Sequence, residues 1–509
     1  MPDLQHFSIP FGGGANTREH PLAIQDNECM KLDGWDYNRV NALTNRSCRN
    51  TLITLNTTSP GPASYLKEVL VGAVAAPVRY LLMHCPITGQ VLVSSDLSTT
   101  SLLLTWTTAQ LTTQVEVFNG SAWLVNGTDT PQQWTGATAT TVVSSVSAMP
   151  VARLIRMYKN YCFVARTAAN PSRVFFSSLK DPTLWPTNNF QDVSPNDGDE
   201  VTALHATPEG LMVFKNRSVW MLIGDTFDAT NPQWRLIRLP SSDGIGTVAP
   251  ESVQTFPGVG VVFAAWDGWY AWNGAAVVRL SAKIEETMEG LVLTQTGYSG
   301  TSKTRREGCA AVFRDRYWAS VEETTGVNNR TVLRMDAEGR WMVSATQTPY
   351  AMTTYNNRLI FARRTGTIEE QEIVSGAGAV TSYVSADAYT KIFDFGDVGR
   401  LKHFRRVRVK WSADLNAVVP LITLTPIVDT VSGTAISLVA TGANSTQITE
   451  TNAESGYRTG AELNMSGWTL QFRIQSSALV SVPTTARVLV NIQEIMVEYT
   501  MEGVSGDIK

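Results

Sequence analysis

The sequence VVFAAWDGWYAW (residues 261–272) decides the fold class of this chain. Two runs of aromatic and branched residues flank the turn-forming residues 267–268, and neither run is long enough for a helix. Short apolar runs bounded by Gly, Asn, Asp or Pro are typical of antiparallel hairpins. Comparable runs follow one another from residue 172 to residue 273, so we predict a meander of short strands.

The same kind of hairpin recurs along the chain. Pairs of apolar runs also flank short polar turns at 159–160, 215–217, 314–316 and 356–358. Intervals of roughly 40 to 55 residues suit the four-stranded blades of a β-propeller. Helical repeats would instead place apolar residues at i, i+3, i+4 and i+7. The strongest single hairpin signal is Asn119-Gly120, which lies between two alternating runs.

Two changes in composition divide the chain. We predict an irregular N-terminal platform segment over residues 1–63, a β-propeller over 64–375 and a β-sandwich-like domain over 376–509. The first segment ends in NTTSPGP, which is typical of a linker, and the last domain contains longer alternating strands. The expected fold class is therefore all-β, with one short helix predicted over 281–291.

Composition excludes several classes of protein. Only 17% of the 509 residues are charged, below the roughly 25% of ordinary soluble domains, which suggests that part of the surface is covered in an assembly. The formal net charge of -4 excludes a strongly basic nucleic-acid coat. The five cysteines are scattered and odd in number, and they predict free thiols in a reducing compartment, with neither a disulfide scaffold nor a structural zinc site. Neither a secretory signal nor an apolar run of membrane-spanning length is present in the sequence, so we expect synthesis in a cytoplasm and no stable membrane insertion.

Catalytic motifs are not evident in the sequence. The five histidines are far apart, and His205 is expected to be a structural histidine rather than a general base. Asp181, Asp243 and Asp267 lie at turns, where Asp commonly caps the backbone. The nucleophile elbow, the zinc-protease helix and the phosphate-binding loop are all missing. We therefore expect no enzymatic activity, no cofactor and no metal.

The best charged feature is the basic strip RLKHFRRVRVKW at residues 400–411. Its basic side chains are Arg400, Lys402, Arg405, Arg406, Arg408 and Lys410. On a strand, positions 406, 408 and 410 share one face and the apolar positions 407, 409 and 411 share the other. The strip is interpreted as a solvated strand face, an inter-subunit ion-pair face or a surface near DNA phosphates. The aromatic residues at 175–176 and 266–272 are interpreted in two ways, as inter-blade core or as a sugar-binding platform.

Several longer stretches carry a family resemblance. They are RVFFSSLKDPTLW (173–185), DGDEVTAL (197–204), GLMVFKNRSVWML (210–222), GIGTVAP (244–250), WDGWY (266–270), and near the N-terminus NECMKLDGWD (27–36) and LTNR (43–46). Over residues 20–375 the chain resembles the tail nozzle or tail hub proteins (tail tubular protein B-like) of short-tailed, podovirus-type bacteriophages.

The resemblance implies a propeller core with a platform built from the N- and C-terminal segments. It further implies a homohexameric ring below the portal and adaptor, located in the virion tail after synthesis in the host bacterial cytoplasm. The expected partners are other copies of the chain, the adaptor protein, tail fibres or spikes, and genomic DNA that passes without sequence-specific binding. The expected function is a structural one, which is to continue the DNA channel and gate genome release.

One alternative remains open. A β-propeller could instead bind or degrade a host surface polysaccharide, and such a protein would gather carboxylates or exposed aromatic residues in one pocket.

Overall fold

The computed structural model describes residues 4–37, 41–44, 48–55, 61–108, 113–136, 143–224, 234–247, 249–285, 308–322, 330–344, 347, 349–372, 382–383, 385–415, 422–438, 459–477, 479–480 and 488–502. Within these ranges the regular structure is β-strand, apart from two 3₁₀ turns at Pro250–Ser252 and Ala282–Ile284 and the helical residue Glu285. Of the predicted helix over 281–291, residues 282–284 form the second of these turns, Glu285 is helical, and the remainder from 286 lies outside the described residues.

Five short strands lie in the N-terminal segment. They are β1 (Leu4–Pro10), β2 (Cys29–Asp33), β3 (Asp36–Tyr37), β4 (Leu43–Thr44) and β5 (Cys48–Thr54). Each contributes to a sheet completed by residues far along the chain, although β3 itself pairs only with β4.

The described residues then form a propeller of seven four-stranded blades. Five blades are separate sheets, and two are the first four strands of larger sheets. Blade 1 contains β6 (Tyr65–Val71), β7 (Val78–Cys85), β8 (Gln90–Ser94) and β9 (Ser101–Thr105); blade 2 contains β10 (Gln114–Phe118), β11 (Ser121–Val125), β12 (Gln132–Trp134) and β13 (Val143–Ser145). Blade 3 contains β14 (Ala152–Tyr158), β15 (Tyr161–Thr167), β16 (Arg173–Phe176) and β17 (Phe190–Asp192); blade 4 contains β18 (Val201–Ala206), β19 (Leu211–Lys215), β20 (Val219–Ile223) and β21 (Arg235–Arg238); blade 5 contains β22 (Gln254–Phe256), β23 (Gly260–Ala264), β24 (Trp269–Trp272) and β25 (Val277–Arg279). Blade 6 contains β26 (Cys309–Phe313), β27 (Arg316–Glu322), β28 (Arg330–Asp336) and β29 (Trp341–Ser344); blade 7 contains β30 (Pro349–Tyr355), β31 (Arg358–Arg363), β32 (Thr367–Gln371) and β5.

Two-residue turns set the register of several blade hairpins. The turns at 119–120, 159–160, 314–315 and 356–357 place both central residues at positive φ, between 45° and 72°. This backbone matches the right-handed twist of the flanking strands, and it favours Asn, Asp and Gly. These four polar turns join the first and second strands of blades 2, 3, 6 and 7.

The N-terminal segment closes the ring of blades. β5 pairs antiparallel with β32, with Ile53 opposite Ile368, and so supplies the fourth strand of blade 7. The next strand along the chain, β6, opens blade 1. The predicted boundary at 63/64 is therefore wrong for β5, which belongs to the propeller although it lies within residues 1–63. The physical reason is that β5 completes the last blade and is followed along the chain by β6, the first strand of blade 1, so it joins the two blades.

The C-terminal strands build a two-sheet platform with the N-terminal ones. They are β33 (Ser382–Tyr383), β34 (Ala386–Thr390), β35 (Lys402–Leu415), β36 (Ile422–Val428), β37 (Val431–Ser432), β38 (Ile436–Ser437), β39 (Thr459–Gly467), β40 (Leu470–Ser476), β41 (Leu479–Val480) and β42 (Val488–Met501). One sheet has the order β3-β4-β42-β35-β39, with β1 also paired to β42, and the other contains β2-β34-β40-β36. The predicted fold class, a propeller with a sandwich platform made from both chain ends, is confirmed.

Platform and propeller share sheets and a core. β2 pairs in parallel with β29, which joins a platform sheet to blade 6, and β33 pairs with β5 at the edge of blade 7. A single apolar cluster contains Trp35 of the platform together with Trp269 of blade 5 and Trp341 of blade 6. The indole N–H of Trp269 donates to the Tyr317 hydroxyl at 3.2 Å. The aromatic residues of the 266–272 stretch therefore serve mainly as core, since Trp269 and Tyr270 are buried.

Candidate functional site

The first strands of the seven blades surround one polar cavity. The cavity has a volume of about 250 Å³ and lies where β6, β10, β14, β18, β22, β26 and β30 converge. Its polar lining residues include Lys67, Gln114, Glu116, Arg156, His205, Glu251, Gln254, Thr353 and Thr354. We call it the channel cavity, and its charged side chains come from several blades.

An ion-pair network crosses three blades inside the channel cavity. Glu116 Oε1 accepts from Lys67 Nζ at 2.7 Å and from Arg156 Nη1 at 2.7 Å. Arg156 Nε also donates to the carbonyl of Leu204 at 3.1 Å, which extends the network to a fourth blade. Burial alone would raise the pKa of Glu116, but Arg156 and Lys67 outweigh it and the pKa is lowered. Glu116 is therefore ionised and fixed between two cations.

A second carboxylate lies in a different environment. Glu251, in the 3₁₀ turn before β22, accepts a hydrogen bond at Oε1 from Gln114 Nε2 at 3.0 Å. Gln114 is itself oriented by the backbone N–H of Ile155, which donates to its Oε1 at 3.2 Å. Burial raises the pKa of Glu251, and the hydrogen bond and nearby cations offset this only in part. The cavity thus contains two carboxyl groups whose pKa values shift in opposite directions.

His205 also lines the channel cavity. Its Nε2 lies 2.8 Å from the Thr255 hydroxyl, while its Nδ1 is buried without a hydrogen-bond partner among the described residues. Burial, with the nearby charges of Arg156 and Lys67, lowers the pKa of His205 to about 3. The ring is therefore neutral, and this geometry matches a structural histidine better than a general base.

The three aspartates singled out at turns have local partners. Asp181 Oδ1 accepts from the backbone N–H of Thr183 at 2.9 Å, and the Thr183 hydroxyl and this N–H lower the pKa of Asp181. Asp267 accepts from the Tyr270 hydroxyl at 2.8 Å, and Asp243 lies 2.6 Å from Arg238 on the surface. Asp181 therefore caps a backbone N–H as expected, whereas the contacts of Asp267 and Asp243 are to side chains.

The basic strip lies mostly on β35 and has the predicted alternation. The side chains of Val407, Val409 and Trp411 are buried in the platform core, whereas Arg405 and Arg406 are exposed. The neighbouring strand β42 sets acidic residues against the strip. Arg406 and Lys410 face Glu498 and Glu494 in register, and Arg408 Nη2 lies 2.8 Å from Glu498.

One member of the strip, Lys402, does not belong to an accessible cationic surface. Lys402 is fully buried, and its Nζ donates to the carbonyls of Asp397, Arg400 at 3.0 Å and Trp468 at 3.1 Å. Arg400 precedes β35 and lies 3.6 Å from Asp397. The inclusion of Lys402 in an inter-subunit or DNA-proximal surface is therefore wrong, because its ammonium group holds platform loops together.

Sequence reasoning missed the channel cavity. The sequence does contain one signal of the cavity, because Lys67, Glu116 and Arg156 are each a charged residue within a short apolar strand. Their convergence depends on the closed ring, and no local pattern carries that information. Among the described residues, no group of three His, Cys, Asp or Glu side chains is arranged to hold a metal ion.

The four cysteines whose side chains are described are buried thiols that form no disulfide: Cys29, Cys85, Cys162 and Cys309. In the same part of the chain, no helix is long and apolar enough to cross a membrane.

Comparisons with known proteins return only structural neighbours. No family model and no curated protein sequence matches the chain. A catalytically inactive virginiamycin B lyase from Staphylococcus aureus with quinupristin is 10% identical, with a TM-score of 0.43 over 64% of this chain and 100% of that one. BamB from Moraxella catarrhalis is 10% identical, with a TM-score of 0.34 over 74% of this chain and 99% of that one. At these values neither neighbour indicates what this chain binds or does.

Proposed function

We propose that this chain is a structural, non-enzymatic protein of a short-tailed bacteriophage tail. It forms a nozzle or hub ring that continues the DNA channel below portal and adaptor and gates genome release. The observation that carries this proposal is the platform. β1 pairs with β42 from Leu4 opposite Thr500 to Pro10 opposite Glu494, so both ends of the chain are built into one body beside the propeller. This is the architecture that the family resemblance implies.

A rigid wall suits that role. Each blade packs its apolar face against the next, and the platform is fixed to blades 6 and 7 by shared sheets. The platform surface is also compatible with DNA that slides past without binding, because Glu494 and Glu498 lie against the basic strip on the same face. Strong binding of phosphate would require uncompensated Lys and Arg side chains.

One corner of the platform has the character of an assembly surface. Val398, Val431 and Trp468 are 59%, 64% and 50% exposed. The loops that carry them are fixed, since Lys402 Nζ binds the carbonyls of Asp397 and Trp468, and Asp429 accepts from the Trp468 N–H at 3.0 Å. Rigid exposed aromatic residues are typical anchors of protein interfaces. In the proposed ring, a neighbouring subunit covers this platform corner.

The polysaccharide-binding alternative receives less support from the described surface. Of the aromatic residues that would form its platform, Phe176, Trp269 and Tyr270 are buried, and Phe175, Trp266 and Trp272 are half-buried. The carboxylates that do converge lie in a cavity of about 250 Å³, which is too confined for an extended polysaccharide.

Virion analysis and mass photometry test the proposal together. We expect the chain in purified virions, labelled at the tail by antibodies, and we expect purified protein to assemble into hexamers on adaptor rings. Trp468→Ala should weaken assembly, whereas Val74→Ala, at an exposed blade turn, should not. Absence of the chain from virions, or a monomer that never joins an adaptor ring, would overturn the proposal.

A further inference from the structure

We propose that the channel cavity is a binding site for one small, uncharged, polyhydroxylated ligand of about the size of a single sugar ring. The inference goes beyond the proposed tail function and does not depend on it. The cavity is surrounded by all seven blades, and its volume of about 250 Å³ lies just below the roughly 300–1,000 Å³ found for small-molecule sites.

The charges of the cavity favour an uncharged ligand. Two cations, Lys67 and Arg156, face two carboxyl groups, Glu116 and Glu251. Glu116 is bonded to both cations, so neither sign of charge is left in large excess. An anionic ligand would compete with Glu116 for the two cations, and a cationic ligand would be repelled by Lys67 and Arg156.

The cavity has both hydrogen-bond donors and hydrogen-bond acceptors that the described residues leave unused. Lys67 Nζ carries three donor hydrogens and makes one hydrogen bond to a described residue, and Arg156 Nη2 makes none to a described residue. On the acceptor side, Glu251 Oε2 and Gln254 Oε1 accept no hydrogen bond from the described residues. Hydroxyl groups both donate and accept, and a ring of several hydroxyls matches such a mixed set of groups.

The cavity also has an apolar side and is reached by water. Ile155, Val253 and Met352 line it beside the polar groups, and such surfaces pack against the C–H face of a sugar ring. The side chains of Lys67 and Arg156 keep 27% and 28% of their exposure, so the cavity communicates with solvent. The site is one for binding, because Glu116 is already committed to two ion pairs.

The proposal is tested by saturation-transfer-difference NMR and titration calorimetry on the isolated full chain. The probes are methyl α-D-glucopyranoside, methyl β-D-galactopyranoside and methyl α-D-mannopyranoside. We expect at least one glycoside to bind with a dissociation constant below about 10 mM, which corresponds to roughly 3 kcal/mol. Glu251→Gln should weaken binding about tenfold or more, because the side-chain amide either places an N–H donor where the acceptor Oε2 was or shifts the remaining oxygen. Gln254→Leu, which removes the second acceptor, should do the same.

The control is Asp243→Asn, which alters an exposed carboxylate outside the cavity and should leave binding unchanged. Circular dichroism and thermal melting establish that each variant is folded. The proposal is overturned if none of the three glycosides binds the wild-type chain up to about 20 mM, the range where specific but weak sites are still detected. It is equally overturned if a glycoside binds both folded variants as tightly as the wild type, since the sugar then lies elsewhere. Both readouts use the unassembled protein, so either result leaves the ring proposal to its own test.

Discussion

Lys215 Nζ lies 2.6 Å from both carboxylate oxygens of Asp197, although the lysine side chain is fully buried. The same ammonium group donates to the carbonyls of Val193 and Ser194 at 3.1 and 3.2 Å. Two residues further on, Asp199 accepts from the backbone N–H groups of Asn216 and Arg217. The loop between blades 3 and 4 is thus bound to the second hairpin of blade 4.

We predict that Lys215→Met lowers the free energy of unfolding by about 2–3 kcal/mol, since it leaves two buried carbonyls and a carboxylate without their donor. The expected loss of stability is smaller than for a fully buried ion pair because Asp197 is about one-third exposed and can be hydrated. Urea unfolding followed by tryptophan fluorescence measures it. Arg217→Met, which keeps the backbone contact to Asp199, is the control and should change stability by no more than about 0.5 kcal/mol. Equal losses for both variants would contradict the prediction.

Acid should weaken the same contact. Burial raises the pKa of Asp197, but its hydrogen bonds to Lys215 and to the backbone outweigh burial and the pKa is lowered. The ionised Asp197 therefore contributes its full stabilisation at a pH above the unfolded-state pKa of about 3.9. This stabilisation is lost as the pH falls through the lower folded-state pKa. Unfolding measured from pH 5 downward should show a smaller loss of stability in Lys215→Met than in the wild type. Parallel curves of stability against pH for Lys215→Met and the wild type would contradict this prediction.

The sequence predicts individual hairpins better than their positions in the blades. The Asn119-Gly120 turn joins β10 and β11 as expected. The five hairpins grouped as one repeat are of two kinds, however. Those at 159–160, 314–316 and 356–358 join the first and second strands of a blade, and those at 215–217 and 267–268 join the second and third. Both kinds have the same local chemistry, so turn residues alone do not give the blade register.

Long-range pairing accounts for what the sequence did not predict. β5 closes blade 7 across more than three hundred residues of chain, and its alternation resembles that of any edge strand. Lys402 resembles its exposed basic neighbours in sequence, but the loop carbonyls around it bury its ammonium group. The channel cavity likewise depends on isolated charges such as Glu116 and Arg156, which meet only when the ring is complete.

A second prediction concerns the contact between propeller and platform. Arg334 of blade 6 is fully buried, donates from Nη2 to the carbonyl of Trp35 at 2.9 Å, and has Nη1 3.7 Å from both Asp36 and Glu372. Arg334→Met should lower stability by about 3 kcal/mol, because it leaves buried carboxylates without their shared cation. We also expect calorimetry to resolve separate platform and propeller transitions. Lys31→Met removes the half-exposed pair with Asp387 and should cost less than about 1 kcal/mol. One unshifted transition in Arg334→Met would contradict this.

A third prediction concerns the turn at Gly120. Its φ is 72°, and an added Cβ would lie 2.1 Å from the carbonyl oxygen of Gly72 in blade 1. Gly120→Ala should therefore cost more than about 2 kcal/mol, from backbone strain together with a clash between blades. Gly244 has a similar φ of 76° with nothing near its Cβ position, so Gly244→Ala isolates the backbone strain at about 1 kcal/mol. Thermal unfolding compares the two, and equal losses would show that the contact with Gly72 yields without cost.

A fourth prediction concerns pH and His205. Because burial lowers the pKa of His205 to about 3, the unfolded chain, with a value near 6.5, binds a proton that the folded chain does not. Between these values the unfolded state holds more protons, so stability falls as the pH is lowered below about 6.5, by up to about 1.4 kcal/mol per pH unit. His205→Gln should flatten this slope between pH 6.5 and pH 5 in urea unfolding. The same slope in both proteins would be inconsistent with a neutral buried ring.

A fifth prediction concerns the closing strand. Ile53 lies opposite Ile368 and packs in a cluster with Leu66 and Leu81 of blade 1, so it holds the first and last blades together. Ile53→Ala should lower the free energy of unfolding by about 2–4 kcal/mol through loss of buried methyl groups and the cavity left behind. Limited proteolysis should then cut faster near residues 48–55, because the strand detaches more often from β32. Thr51→Ala, on the exposed side of the same strand, should change neither quantity appreciably. If Ile53→Ala unfolds at the wild-type midpoint and resists protease equally well, β5 is not what keeps the ring closed.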